Sequence, residues 1–300
     1  MQPIPVGETI AFAYRFLFAR IGTIIGIAWL PAVLSSAASY LISTYAATHR
    51  AELEVGDPQA AMAYFLVSFA GLMVTVFAAS VVAVAITRQV LGQGSSGMVL
   101  YFAAGRSEWR MFAANIRYLL AIGALVGLAT LIAMLAFLLA GVPLDGSEPV
   151  QPSAAIILAG LISLFVFLYA FATIVRVGFL LPPSIAAEEK GGLRRSFELT
   201  KGNFWRVLAI MLALAFPLML LMLGGEAAVL RAALGPEFAR MNPTEFMQRA
   251  GQAMEAKRLP WTIFTTVIFI LGSGLIYSGA AFAYRAATGT GRLPSSPPRG

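Results

Sequence analysis

Chemistry in this chain has few side chains to use. Cysteine is absent, which excludes thiolate nucleophiles, disulfides, cysteine zinc sites and cysteine-bound iron–sulfur clusters. His49 is the sole histidine and reads as a solvated loop residue, while Asp57 and Asp145, the only aspartates, fall in segments between apolar runs. Metal-binding aspartate pairs, intramembrane aspartyl proteases and His-Glu-x-x-His zinc sites therefore have no residues to draw on. Neither a Gly-x-x-x-x-Gly-Lys phosphate loop nor a Gly-x-Ser-x-Gly elbow occurs. No catalytic, metal or cofactor-binding residue is assigned, and the chain is expected not to be an enzyme.

What remains is basic. Arg88, Arg117, Arg176 and Arg285 fall near or just inside the ends of apolar runs. There a guanidinium either snorkels to the interface or joins others as a fork for a phosphate headgroup or another anion. Arg176 stands deepest, about six residues inside its run and beside Gly178. Arg194, Arg195 and Lys201 form a second basic group. These seven are the candidate contacts to anionic lipid or its headgroups. Carboxylates are missing from the interiors of the apolar runs, which disfavours carriers that relay protons or cations through buried acids. Sodium sites built from hydroxyls and backbone carbonyls stay compatible with the sequence.

The elements that must position these residues are membrane spans. Hydrophobic residues make up 59% of the chain and charged residues 12%, against about a quarter charged in soluble domains, so the bilayer is the expected solvent. Runs of about 20 residues or more, enough to cross roughly 30 Å of hydrocarbon, predict spans at 24–45, 62–86, 118–140, 154–181, 204–223 and 262–286. Gly56-Asp57-Pro58, Pro143-Leu144-Asp145-Gly146 and Glu148-Pro149 mark turns, and Leu181-Pro182-Pro183 is expected to stop the fourth helix. Pro31 and Pro217 fall inside spans. The fold class is thus all-α, a polytopic membrane bundle of six transmembrane helices over residues 1–290 with a disordered tail at 291–300.

Net charge +7 could suggest nucleic acid, but its distribution reads as topology, and no nucleic-acid partner is expected. One side collects fifteen basic residues: Arg15, Arg20, Arg88, Arg106, Arg110, Arg117, Arg176, Lys190, Arg194, Arg195, Lys201, Arg206, Arg285, Arg292 and Arg299. The other has six, Arg50, Arg231, Arg240, Arg249, Lys257 and Arg258, among nine carboxylates. By the positive-inside rule the first side is cytoplasmic, with both termini on it. A cleaved leader is not expected, because about twenty residues with two prolines precede the first run and Ser35-Ser36-Ala37-Ala38 is only a weak small-residue site.

Odd-numbered spans follow Arg20-Ile21-Gly22-Thr23, Gly105-Arg106-Ser107 and Lys201-Gly202-Asn203, each with a glycine, a cation and a capping-type side chain. This suggests three pseudo-repeated units of interfacial helix plus transmembrane hairpin, with a period of roughly ninety residues. Two segments support it. Leu193, Phe197 and Thr200 share a helical face with Arg194, Arg195, Glu198 and Lys201 around it, and Trp109, Phe112, Ala113 and Ile116 form a stripe beside Arg106, Arg110 and Arg117. Both patterns suit a helix in the headgroup plane. An outer loop at 224–260 carries Asn242-Pro243-Thr244-Glu245, a capping pattern ahead of an amphipathic helix. Gly22/Gly26, Gly123/Gly127 and Gly272-Ser273-Gly274 with Ser278-Gly279 are small-residue faces for close helix packing.

The segment from Ser184 to Arg206 carries a resemblance. A glutamate, Glu188 or Glu189, leads into Ser196, Phe197, Leu199, Thr200, Gly202, Phe204 and Trp205. This run is similar to the membrane domain associated with glycerophosphoryl diester phosphodiesterases and to related bacterial integral membrane proteins. It covers about twenty-three residues, and the six-span layout extends it loosely over the chain. That family's usual aspartate near the final helix is replaced by Phe282-Ala283-Tyr284-Arg285, and its soluble catalytic barrel has no counterpart. The resemblance implies the membrane module without its enzyme. The expectation is a bacterial inner-membrane protein acting as a non-catalytic anchor, scaffold or lipid-headgroup-binding module in envelope lipid metabolism. Its expected partners are anionic membrane lipids and either a partner membrane protein or a second copy. The alternative is a subunit of a carrier or channel for a small or lipidic substrate.

Overall fold

The computed structural model describes residues 2–93, 105–139, 154–188, 191–235 and 242–289. Helix α1 (Val6–Ala19) leads through Arg20 into α2 (Ile21–Thr48), and a single short turn, α3 (Arg50–Glu54), precedes α4 (Pro58–Val90). Then come α5 (Arg106–Leu139) and α6 (Ala154–Thr173), a π-helical turn (Ile174–Gly178), α7 (Leu181–Ala187), α8 (Leu193–Thr200), α9 (Phe204–Leu234), α10 (Pro243–Ala256) and α11 (Arg258–Thr288). No strand occurs among the described residues. Six stretches, five of them unbroken helices, are long and apolar enough to cross a membrane. The protein is an all-α, multi-pass membrane bundle.

Two helices form its axis. The later halves of α4 and α11 are buried almost without interruption, Ala78 to Ile86 of α4 facing Gly272 to Tyr284 of α11. Small residues of α11 let other helices pack closely on it: Gly274 lies against Leu17 of α1 and Ile24 of α2, and Gly279 against Leu214 of α9 and Ala13 of α1. Around this pair, Ile24, Ile27, Ile86, Phe179, Ile210 and Leu214 complete one continuous core. The core belongs to one half of the bundle, the basic end, where Arg88, Arg176, Arg206 and Arg285 lie. Toward the other, far end α2 and α11 leave a cleft between them.

Several boundaries differ from expectation for local reasons. α9 does not stop at residue 223 but runs 31 residues, about 46 Å, longer than the hydrocarbon core. Gly225 does not break it, because it is a contact point: a Cβ there would meet the Phe264 ring at 2.6 Å. α11 starts at Arg258, with Pro260 in the first turn where its missing N–H removes no bond. The outer loop of 224–260 thus contracts to the connections around α10. Helices α2 and α9 continue through Pro31 and Pro217. Leu181-Pro182-Pro183 starts α7 rather than only ending the fourth span, since proline is preorganised for a first turn. The turns at 143–149, Glu189, Lys190 and the tail at 291–300 lie outside the described residues.

The threefold unit is only partly present. α1 and α8 are separate helices ahead of α2 and α9, but the segment 106–117 is the first three turns of α5, continuous with its span. The capping-type residues do other work: Asn203 Oδ1 accepts from Ile4 N at 3.1 Å, Ser107 Oγ accepts from Arg88, and neither α2 nor α9 has a side-chain cap. Gly22, Gly123 and Gly127 have open space at their Cβ positions and are not packing contacts within the chain.

Candidate functional site

The fourth span reaches the basic end irregularly. Its π turn widens the backbone at Ile174–Gly178, and two of its carbonyls are satisfied from outside the helix. Ser196 Oγ donates to the Val177 carbonyl at 2.7 Å, and Thr200 Oγ1 donates to the Arg176 carbonyl at 2.8 Å. Ser196 and Thr200 stand one turn apart on α8, so with Leu199 they form its buried face. Of the face of Leu193, Phe197 and Thr200 expected in the headgroup plane, Thr200 turns into the protein with Ser196 because carbonyls wait for them there, while Phe197 stays 42% exposed.

Phe197 instead serves Arg176. The Arg176 guanidinium lies 5.2 Å from the centroid of the Phe197 ring and 5.6 Å from that of Phe204, while the residue remains exposed. Aromatic faces attract a cation and hold its plane, leaving the N–H fork free to turn outward. Trp205 and Arg206 follow at the exposed start of α9. Toward the membrane centre from Arg176, an apolar groove of about 150 Å³ begins one turn of α9 beyond Phe204, at Leu208. Ile174, Val175 and Phe179 line one wall, Leu208 and Met211 of α9 another, and Ile276 of α11 its back. A cation at the boundary with an apolar slot below it matches the order of groups in a phospholipid.

Beside this site lies a polar node that sequence reasoning missed in part. Glu188 Oε1 accepts from Arg195 Nε at 2.9 Å and from the Tyr284 hydroxyl at 2.6 Å. The carboxylate raises the Arg195 pKa further above its usual value. Arg110 Nη2 donates to the Glu188 and Gly191 carbonyls at 3.1 and 2.9 Å, joining α5 to the α7–α8 connection. Glu188 of the motif thus takes a structural place, and Tyr284 meets it from the last helix. The clue available in the sequence was the Phe282-Ala283-Tyr284-Arg285 stretch.

The seven candidate cations therefore separate. Arg88 donates to Glu108 at 3.2 Å and to Ser107 at 2.8 Å, Arg195 is held by Glu188, and Arg285 reaches the Val90 carbonyl at 3.4 Å. These three are engaged by the protein, because each faces an acceptor brought in by a neighbouring helix. Arg194 is exposed and pairs with Glu198 one turn on, and Arg117, Arg176 and Lys201 are exposed. His49 ends α2, its ring stacked on Tyr45 at 4.1 Å. Compared with protein families, with curated proteins and with solved structures, the chain matches none.

Proposed function

We propose that this protein is a non-catalytic, phospholipid-binding module of a bacterial inner membrane, with its basic end and both termini in the cytoplasm. It holds the phosphate of an anionic lipid on Arg176 and one acyl chain in the groove beneath. The observation that carries this is the vertical order at Arg176: exposed guanidinium on two rings, then a wholly apolar slot. Lys201, Arg206, Arg194 and Arg117 add attraction to an anionic leaflet, at about 1 kcal/mol for each cation close to the surface. Orientation follows the charge count, fifteen basic residues on one side against six. The likeness of residues 184–206 to the phosphodiesterase-associated membrane domain favours a scaffold role in envelope lipid metabolism, the motif residues serving to build the Arg176 site. A carrier would need a polar path through the bundle, and among the described residues the apolar core around Ile27 and Leu275 lies across it.

Native mass spectrometry of the full chain released from mixed micelles tests this. Phosphatidylglycerol adducts should exceed phosphatidylcholine adducts. Arg176→Gln should weaken them roughly tenfold or more, since a hydrogen bond to a charged group contributes about 1.5–3 kcal/mol. Leu212→Trp, which crowds the groove, should do likewise. Equal retention of both lipids by the native and Arg176→Gln proteins would end the proposal.

A further inference from the structure

At the far end a cleft of about 740 Å³ opens between α2 and α11, with α4 behind it and α10 at its rim. It lies at the opposite end of the bundle from Arg176. From Ala32 to Ala47 it follows α2 for roughly 22 Å, and Arg50 at the start of α3 stands at its mouth. Its walls carry two facing hydroxyl stripes: Ser36, Ser39 and Ser43 recur at helical spacing on α2, and Thr262 and Thr265 on α11.

The direction of these hydroxyls decides what they can bind. Ser43 donates to the Tyr40 carbonyl at 2.9 Å, Thr262 to the Arg258 carbonyl at 2.9 Å and Thr265 to the Thr262 carbonyl at 3.0 Å. Thr266 also donates to the Thr262 carbonyl, so the Ser36–Thr266 hydroxyl contact uses the proton of Ser36. These four cleft protons, of Ser36, Ser43, Thr262 and Thr265, are committed to the protein, and their oxygens offer the cleft lone pairs. Deeper still, Ser35 is 9% exposed and its Oγ has no partner, although buried hydroxyls are almost always bonded. The charges at the mouth compensate one another. Arg50 pairs with Glu54 at 2.8 Å, and Arg258 is held by Glu255 at 3.2 Å, Thr44 at 2.9 Å and the Tyr40 ring. Trp261 and Phe269 supply flat apolar surface. The lining arginines and the one lining carboxylate, Glu255, are already paired, so neither an anion nor a cation finds a free counter-charge, while most of the hydroxyl oxygens accept. A neutral molecule with many O–H donors and a C–H face suits both walls.

We propose that this cleft binds a polyol, a sugar or glycerol-type unit, whose hydroxyls donate to Ser36, Ser43, Thr262 and Thr265 while its C–H face rests on Trp261. The same chemistry is presented by a free sugar in the outer medium and by the headgroup of a neutral glycolipid. The test uses the full chain in a sugar-free detergent, with Trp29, Trp109 and Trp205 replaced by Phe so that Trp261 alone reports. Titration with sucrose and, separately, with monoglucosyl diacylglycerol should give a saturable fluorescence change with at least one of them. Response to sucrose identifies a free sugar as sufficient, and response to the glycolipid alone identifies a lipid-borne one. Ser43→Ala with Thr265→Val removes two acceptors that bond only within their own helices. It should weaken binding at least about fivefold at an unchanged melting temperature. Ala46→Phe, which fills the cleft from its wall, should abolish it. The proposal is overturned by no saturable response to either probe, by undiminished affinity in both variants, or by tighter binding of tetramethylammonium or acetate than of either sugar probe.

Discussion

Glu108 has no exposed surface, and among the described residues only Oε1 of its two carboxylate oxygens meets a donor, Arg88. An acid so placed depends on that cation. Arg88→Leu should therefore destabilise the protein by roughly 3–5 kcal/mol, because it strands a buried charge, whereas Arg88→Leu combined with Glu108→Leu should recover most of that loss. Thermal unfolding in detergent of the two single variants and the double gives the coupling directly, and additive losses would refute it. The sequence marked Arg88 as a cation at a boundary but could not pair it, since Glu108 lies on another helix and reads as an ordinary first-turn acid. Arg195 and Glu188 have the same history. Arg176 differs: its depth in the run and its neighbouring Gly178 singled it out, while the two rings beneath it came from α8 and α9.

At the scale of elements, the segment from α7 to α9 behaves as one part. Its adjacent glycines test this sharply. A Cβ on Gly191 would come 1.7 Å from the Ser184 carbonyl oxygen, a backbone atom that cannot yield without moving α7, while Gly192 has extended backbone, φ 172°, and nothing within 4 Å. Gly191→Ala should lower the melting temperature by several degrees and reduce lipid retention at Arg176; Gly192→Ala should leave both within error. Equal effects from the two would mean that the connection is free to adjust. Ser196→Ala, which leaves the buried Val177 carbonyl without its donor, should cost about 1–3 kcal/mol. Much of this was legible as amphipathic spacing, but which face turns inward was not. A hydrophobicity pattern gives no reason to bury Ser196 and Thr200, and the free carbonyls of a π turn supply it.

For the whole molecule, the charge asymmetry predicts which end meets which compartment. Cysteine introduced at Gln59, near the far-end start of α4, should react with an impermeant maleimide added to intact spheroplasts, and cysteine at Ser296 should react only after lysis. Labelling of Ser296 from outside would invert the bundle and remove the cytoplasmic assignment of Arg176. The six spans, their order and the inequality of the two ends were legible from the sequence alone. Burial of about twenty apolar residues in hydrocarbon is a local property of each run, and a backbone without water must form helix wherever it crosses. The tertiary structure alone decided which cations stay free, that α4 and α11 form the axis, and that one half closes into a core while the other opens as a cleft. The serines at 35 and 36 show why. In sequence they resemble a weak cleavage site, and their chemistry appears only once α11 sets its threonines opposite. Lipid contacts and protein contacts are nearly equal in hydrophobic terms, so periodicity carries little record of packing; close approach and polar pairing between distant residues determine it instead.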